Sequence, residues 1–190
     1  MTQPIILPNE IKHGCFGTMY NYRSGLEFNW RRTERWGVLW QKVYWDAEVN
    51  RIRPLTYFDK KLGLFVRPCS PAQLAAGAHF LTDLGSVPPP VQSFFPSAEA
   101  PYAYFFHDQG YRYGGLWVSA TYDGGPGGAP QEGRATARPY FLKMTRREVD
   151  DLCLRCMLES GGVSLVRRNM IYDAVRVGGW AAWKPQAPGK

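Results

Sequence analysis

Long apolar runs are missing from this sequence. No stretch of eighteen residues is apolar throughout, which excludes a helical membrane span. The opening residues, MTQPIILPNEIK, carry neither the basic start nor the apolar stretch of a secretion signal, so the expected chain has no signal peptide. Cysteine is scarce: Cys15, Cys69, Cys153 and Cys156 are irregularly spaced, which speaks against a disulfide framework and for free, mostly buried thiols. The glycines at 124–125 and 127–128 lack the lysine and following helix of a phosphate cradle, and no dedicated metal-ligand spacing or internal repeat occurs. Cys153-Leu-Arg-Cys156 has the spacing of redox and zinc motifs, but both sulfurs fall on the apolar stripe of a helix, where they read as core.

What is present points to one well-packed domain. The 190 residues are 45% hydrophobic and 15% aromatic, enough for a single core with flat aromatic surface to spare. The net charge of +7 comes from scattered arginines and never condenses into a basic tail. Such charge suits an acidic partner such as nucleic acid, anionic lipid or an acidic protein surface; nucleic-acid contact rests on charge and exposed-looking aromatics alone and ranks last of the candidate functions.

The spacing predicts an α+β fold: a small antiparallel sheet in the N-terminal half, packed against about three helices in the C-terminal half. Residues 1–35 read as an extended arm with at most one short strand, residues 36–183 as the single domain, and 184–190 as a flexible tail. Strands are expected from Trp36 to Val49, from Leu62 to Arg67 and from Ala78 to Asp83. Three successive prolines at 88–90 mark a rigid crossover. A helix follows from Pro101, stopped by Gly114-Gly115, and a Gly-rich exposed loop at 116–140 comes next. Thr145 and Glu148 have the spacing of a capping box, so a helix should begin at Arg146 with Val149, Leu152, Cys153, Cys156 and Met157 inward. A last helix, Leu165 to Val177, should point Val166, Met170, Ile171, Ala174 and Val177 inward. His13 and His79 have no acidic neighbour at helical or strand spacing and are assigned to structure or surface.

The densest polar chemistry is Thr82-Asp83 and His107-Asp108. Tyr104, His107, Asp108 and Tyr111 share one face of the expected helix. In a catalytic reading His107 is a general base, Asp83 or Asp108 orients it, and Tyr111 assists one turn away. Asp83, Asp108 and Asp150 are also candidate ligands for a divalent cation. The alternative is a fold-determining network in which Asp83 bonds turn amides, His107 ties down a backbone carbonyl and Asp108 pairs with Arg112. Residue types leave both readings open.

The ordered motifs resemble a phage and prophage family, domain of unknown function 1353. They are Phe80-Leu81-Thr82-Asp83-Leu84-Gly85-Ser86-Val87-Pro88, His107-Asp108-Gln109-Gly110-Tyr111, the capped helix from Thr145 through Asp150, and Tyr172-Asp173-Ala174-Val175-Arg176. The resemblance covers about residues 35–183 and implies a phage-encoded origin, with Asp83, His107, Asp108, Tyr111 and Asp150 as the shared polar set. Joined to the surplus aromatics, the basic charge and two uncompacted segments, the resemblance leads to the expectation of a virion-associated protein of the tail or connector, made in the host cytoplasm and contacting other phage structural proteins. The alternative is a hydrolase of the host envelope, cleaving peptidoglycan or phospholipid during infection or lysis, with His107 as base and water or a metal-bound water as nucleophile. The His-Asp-x-x-Tyr run is also similar to that of secreted phospholipases, whose calcium loop and disulfides have no counterpart here.

Overall fold

The computed structural model describes residues 16–20, 25–36, 40–77, 79–83, 100–121, 138–160, 163–180 and 182–187. Their elements run β1 (Gly17–Tyr20), β2 (Leu26–Trp36), β3 (Trp40–Val49), β4 (Thr56–Asp59), β5 (Leu64–Arg67), α1 (Pro71–Ala76), β6 (His79–Thr82), α2 (Pro101–Tyr113), β7 (Gly115–Ser119), β8 (Tyr140–Lys143), α3 (Arg146–Ser160) and α4 (Leu165–Gly178). The fold is α+β, as the periodicities require. Its strands form two antiparallel sheets rather than one, in the orders β1-β4-β5-β7-β8 and β2-β3-β6.

Helix α2 is the keystone. Every residue from Ala103 to Tyr111 is buried, so this helix has no solvent face to make amphipathic. It offers one phenylalanine to each sheet. Phe105 meets Phe80 of β6 edge-on with ring centroids 5.8 Å apart, and Phe106 meets Tyr57 of β4 at 6.5 Å. Pro101 opens the helix, and Gly114 closes it in the left-handed conformation at φ 69°, as the sequence signals require. Helix α3 crosses α2 at Gly110, where a methyl group would stand 2.5 Å from Val149 Cγ1. The capping box forms as expected: Glu148 accepts from the Thr145 amide at 2.7 Å, and Thr145 Oγ1 accepts from the Glu148 amide at 3.3 Å. Its apolar stripe is buried, with Cys153 and Cys156 as free thiols whose ionisation burial strongly disfavours.

Several expectations need correction. Part of the expected N-terminal arm is sheet: β1 pairs with β4, and β2 forms a long hairpin with β3, so the domain begins well before residue 36. Residues 1–15 lie outside the described residues. The run from Trp36 to Val49 is not one strand, because β2 ends at Trp36 and β3 begins at Trp40. The expected 116–140 loop is narrower than its glycine content suggested. Leu116 and Val118 are buried in β7, while residues 122–137 and the proline crossover lie outside the described set. The tail is pinned at least to Gln186, whose amide donates to Arg112 O at 2.7 Å.

Helix α4 is rotated from the expected phase. Arg168, Ile171 and Val175 face inward, whereas Val166, Met170 and Val177 are 69%, 51% and 77% exposed. The outer row is largely apolar too, though it includes the exposed Asp173, and contact with α3 selects the inward face. Helix α1, not expected, carries its own capping box of Ser70 and Gln73, Pro71 at its start and Gly77 at its end. His79 is exposed on β6, in keeping with its assignment to structure or surface, and finds acidic partners across the β3–β6 ladder: its Nδ1 lies 2.9 Å from Asp46 Oδ2 and its Nε2 3.8 Å from Glu48.

Candidate functional site

Asp150 is the centre of the polar set. It sits on the first turns of α3, off the apolar stripe, and its carboxylate is sealed from solvent. Oδ1 takes His107 Nε2 at 3.0 Å and the Tyr111 hydroxyl at 2.7 Å, both from α2; Oδ2 takes Arg176 Nη1 at 2.7 Å from α4. One carboxylate thereby fastens three helices. Burial opposes its ionisation, but the donors from His107, Tyr111 and Arg176 outweigh that and hold its pKa below the ordinary value. An ionised Asp150 only accepts, so His107 Nε2 carries a proton.

His107 is 1% exposed, with its ring 4.0 Å from that of Tyr111 and tilted by 37°. Burial works against charging the imidazole, yet Asp108 and Asp150 more than compensate and raise its pKa. Its Nδ1 has no hydrogen-bond partner, and the Asp108 Oδ1 carboxylate oxygen stands 3.9 Å away. The only ring nitrogen with a lone pair to offer is therefore buried, on an imidazole whose surroundings favour the protonated form.

Asp108 lies between the sealed network and an open cleft: it is itself buried, yet it lines the opening. Its Oδ2 accepts a short hydrogen bond from Thr82 Oγ1, so the end of β6 is tied to the middle of α2. A second tie lies one turn on, where Arg112 Nη2 donates to Leu81 O at 2.5 Å. The Asp108–Arg112 pair expected from their spacing is thus replaced by two bonds to β6. Beside these ties opens a cleft of about 260 Å³, lined by Tyr44, Thr82, Asp83, Asp108, Arg112 and Lys184 among others. Its outer wall is the chain after α4, held by Trp183 edge-on to Tyr111 at 5.1 Å and by the Gln186 amide.

The structure divides the candidate residues into two groups. His107 and Asp150 lie in the sealed network, Asp83 and Asp108 line the cleft, and Tyr111 touches both. Asp83, Asp108 and Asp150 do not meet as one ligand set: among the described residues no three His, Cys, Asp or Glu side chains are grouped to hold a cation. Two residues belong here that chemistry at the sequence level did not single out. Arg176 binds Asp150, while Tyr172, one turn earlier, donates to Asp151 at 2.6 Å, so adjacent acids of α3 are read by adjacent turns of α4. Tyr and Arg four apart opposite Asp-Asp was the available signal, but it requires knowing that the helices are neighbours.

Residues 66–175, more than half of the chain, match the family model described as Protein of unknown function (DUF1353). The chain belongs to the DUF1353 family. No curated protein matches it and no solved structure does. The DUF1353 segment holds Thr82, Asp83, His107, Asp108, Tyr111 and Asp150. It ends one residue before Arg176 and leaves out β1 to β4 and the tail that walls the cleft, so it is narrower than the 35–183 suggested by the motifs.

Proposed function

We propose that this DUF1353 protein is a bacteriophage virion component, placed at the tail or connector, whose helix α4 packs on another virion protein. The observation that carries the reading is the outer face of that helix. Val166, Met170 and Val177 fall within one narrow sector of the helical wheel, which the exposed Asp173 shares, and Trp180, 73% exposed, extends the line just past the helix. Large apolar side chains aligned in this way gain about 1.5–3 kcal/mol each on full burial, which favours a covering partner. The phage setting rests on the motif resemblance.

The sealed His107 supports this reading over an envelope hydrolase, because a general base has to reach the proton it removes. In the assembly reading the Asp150 network holds α4 at a fixed angle against α2 and α3, which keeps its outer stripe straight. Mass spectrometry of purified particles from the encoding phage or prophage should find the protein at stoichiometric level. Met170→Lys should leave the circular dichroism spectrum intact and remove the protein from particles. Absence of the unaltered protein from particles, or normal incorporation of the variant, would overturn the reading.

A further inference from the structure

The cleft beside Asp108 collects charge of both signs. Arg112 and Asp108 lie one turn apart on α2, at a spacing where carboxylate and guanidinium ordinarily pair. Here they do not: the guanidinium bonds a carbonyl, and the carboxylate faces Thr82 and His107. Lys184, exposed on the pinned tail, also has no carboxylate within ion-pair distance among the described residues, although it lines the same cleft as Asp83 and Asp108. Two cations and two carboxylates therefore line one space, and among the described residues neither Arg112 nor Lys184 forms an ion pair.

We infer that this cleft binds a free α-amino acid, its carboxylate held by Arg112 and Lys184 and its ammonium by Asp108 and Asp83. The size agrees. At about 260 Å³ the space takes a ligand on the order of ten non-hydrogen atoms, well below drug-sized sites. Recognition of this kind is charge-assisted at both ends, so neither a simple amine nor a simple carboxylate satisfies it. Tyr44 and Tyr111 add hydroxyl-bearing rings to the lining, and the wall that carries Lys184 is kept in place by Trp183 and Gln186. The inference stands on the cleft alone and does not depend on the virion reading.

The test is a nuclear magnetic resonance titration of the labelled full chain with L-alanine, and with propylamine and propionate as half-ligands. L-Alanine at millimolar concentration should shift the amides of Asp83, Asp108, Arg112 and Lys184 saturably, and more strongly than either half-ligand. Lys184→Gln should weaken L-alanine about tenfold, the loss of one charge-assisted contact, with an unchanged melting temperature. Asp83→Asn should abolish the preference for L-alanine over propionate. An unsaturable or absent response, equal binding of propionate, or undiminished affinity in Lys184→Gln would each overturn the assignment.

Discussion

Replacing Asp150 by Asn probes the whole buried network with a single atom changed. The carboxylate accepts from three donors, and two of them, His107 and Arg176, carry or favour positive charge. A hydrogen bond to a charged group is worth about 1.5–3 kcal/mol, but three donors sharing one acceptor group do not add, and Arg176 at 29% side-chain exposure regains water. Removing one partner of a buried charge pair costs about 3–5 kcal/mol. Asn keeps one acceptor oxygen for Tyr111 or His107, which places the expected loss near the lower bound, about 3 kcal/mol. That is a large part of the roughly 5–15 kcal/mol that holds a domain folded. For a chain of this size it corresponds to a melting temperature lower by about 6–12 °C. Urea unfolding followed by near-ultraviolet circular dichroism measures it, since Trp183 against Tyr111 reports on the same site. Asp151→Asn is the matched control: its half-buried carboxylate accepts from Tyr172 outside the sealed network, and the variant should lose only about 1 kcal/mol. A loss below about 1 kcal/mol in Asp150→Asn, or equal losses in both variants, would refute the idea that Asp150 organises the helices.

Two further outcomes follow from the same geometry. His107 has a raised pKa, so its ionisation contributes stability that is complete below its unfolded value of about 6.5 and is lost as pH rises through the folded value. Asp150 has a lowered pKa and contributes above its unfolded value of about 3.9, with the loss coming as pH falls through the folded value. Stability should peak between about pH 4 and 6.5, and His107→Gln should flatten the alkaline side; an unchanged alkaline slope in the variant would contradict the assignment. Gly110→Ala should destabilise by about 1–3 kcal/mol despite alanine's helix-propensity advantage of about 1 kcal/mol, because its methyl meets Val149, and Val149→Ala should relieve the clash in the double variant. Additive losses in thermal melts would show that α2 and α3 do not touch there.

Local signals made much of the fold legible. The capping box at Thr145, the Pro101 start and Gly114 stop, and the Val149 to Met157 stripe each depend on residues within a few positions of one another, so sequence order suffices to read them. The Ser70–Gln73 box of α1 is a signal of the same local kind. The motifs that placed the chain in the DUF1353 family were equally readable as ordered strings. Partnership was not. Asp108 had Arg112 at ideal spacing and chose Thr82, because β6 packs against α2 and offers a buried hydroxyl. Asp150 looked like one member of a possible metal set until α2 and α4 supplied three donors that occupy its oxygens. Helix α4 had two largely apolar faces, and the sequence alone could not say which would meet α3. Sequence by itself determined the elements, their caps and the identity of the polar residues, since those follow from short-range backbone and packing preferences. Tertiary structure alone decided which of those residues are sealed and which open onto a cleft, because burial and charge pairing depend on contacts between segments far apart in the chain.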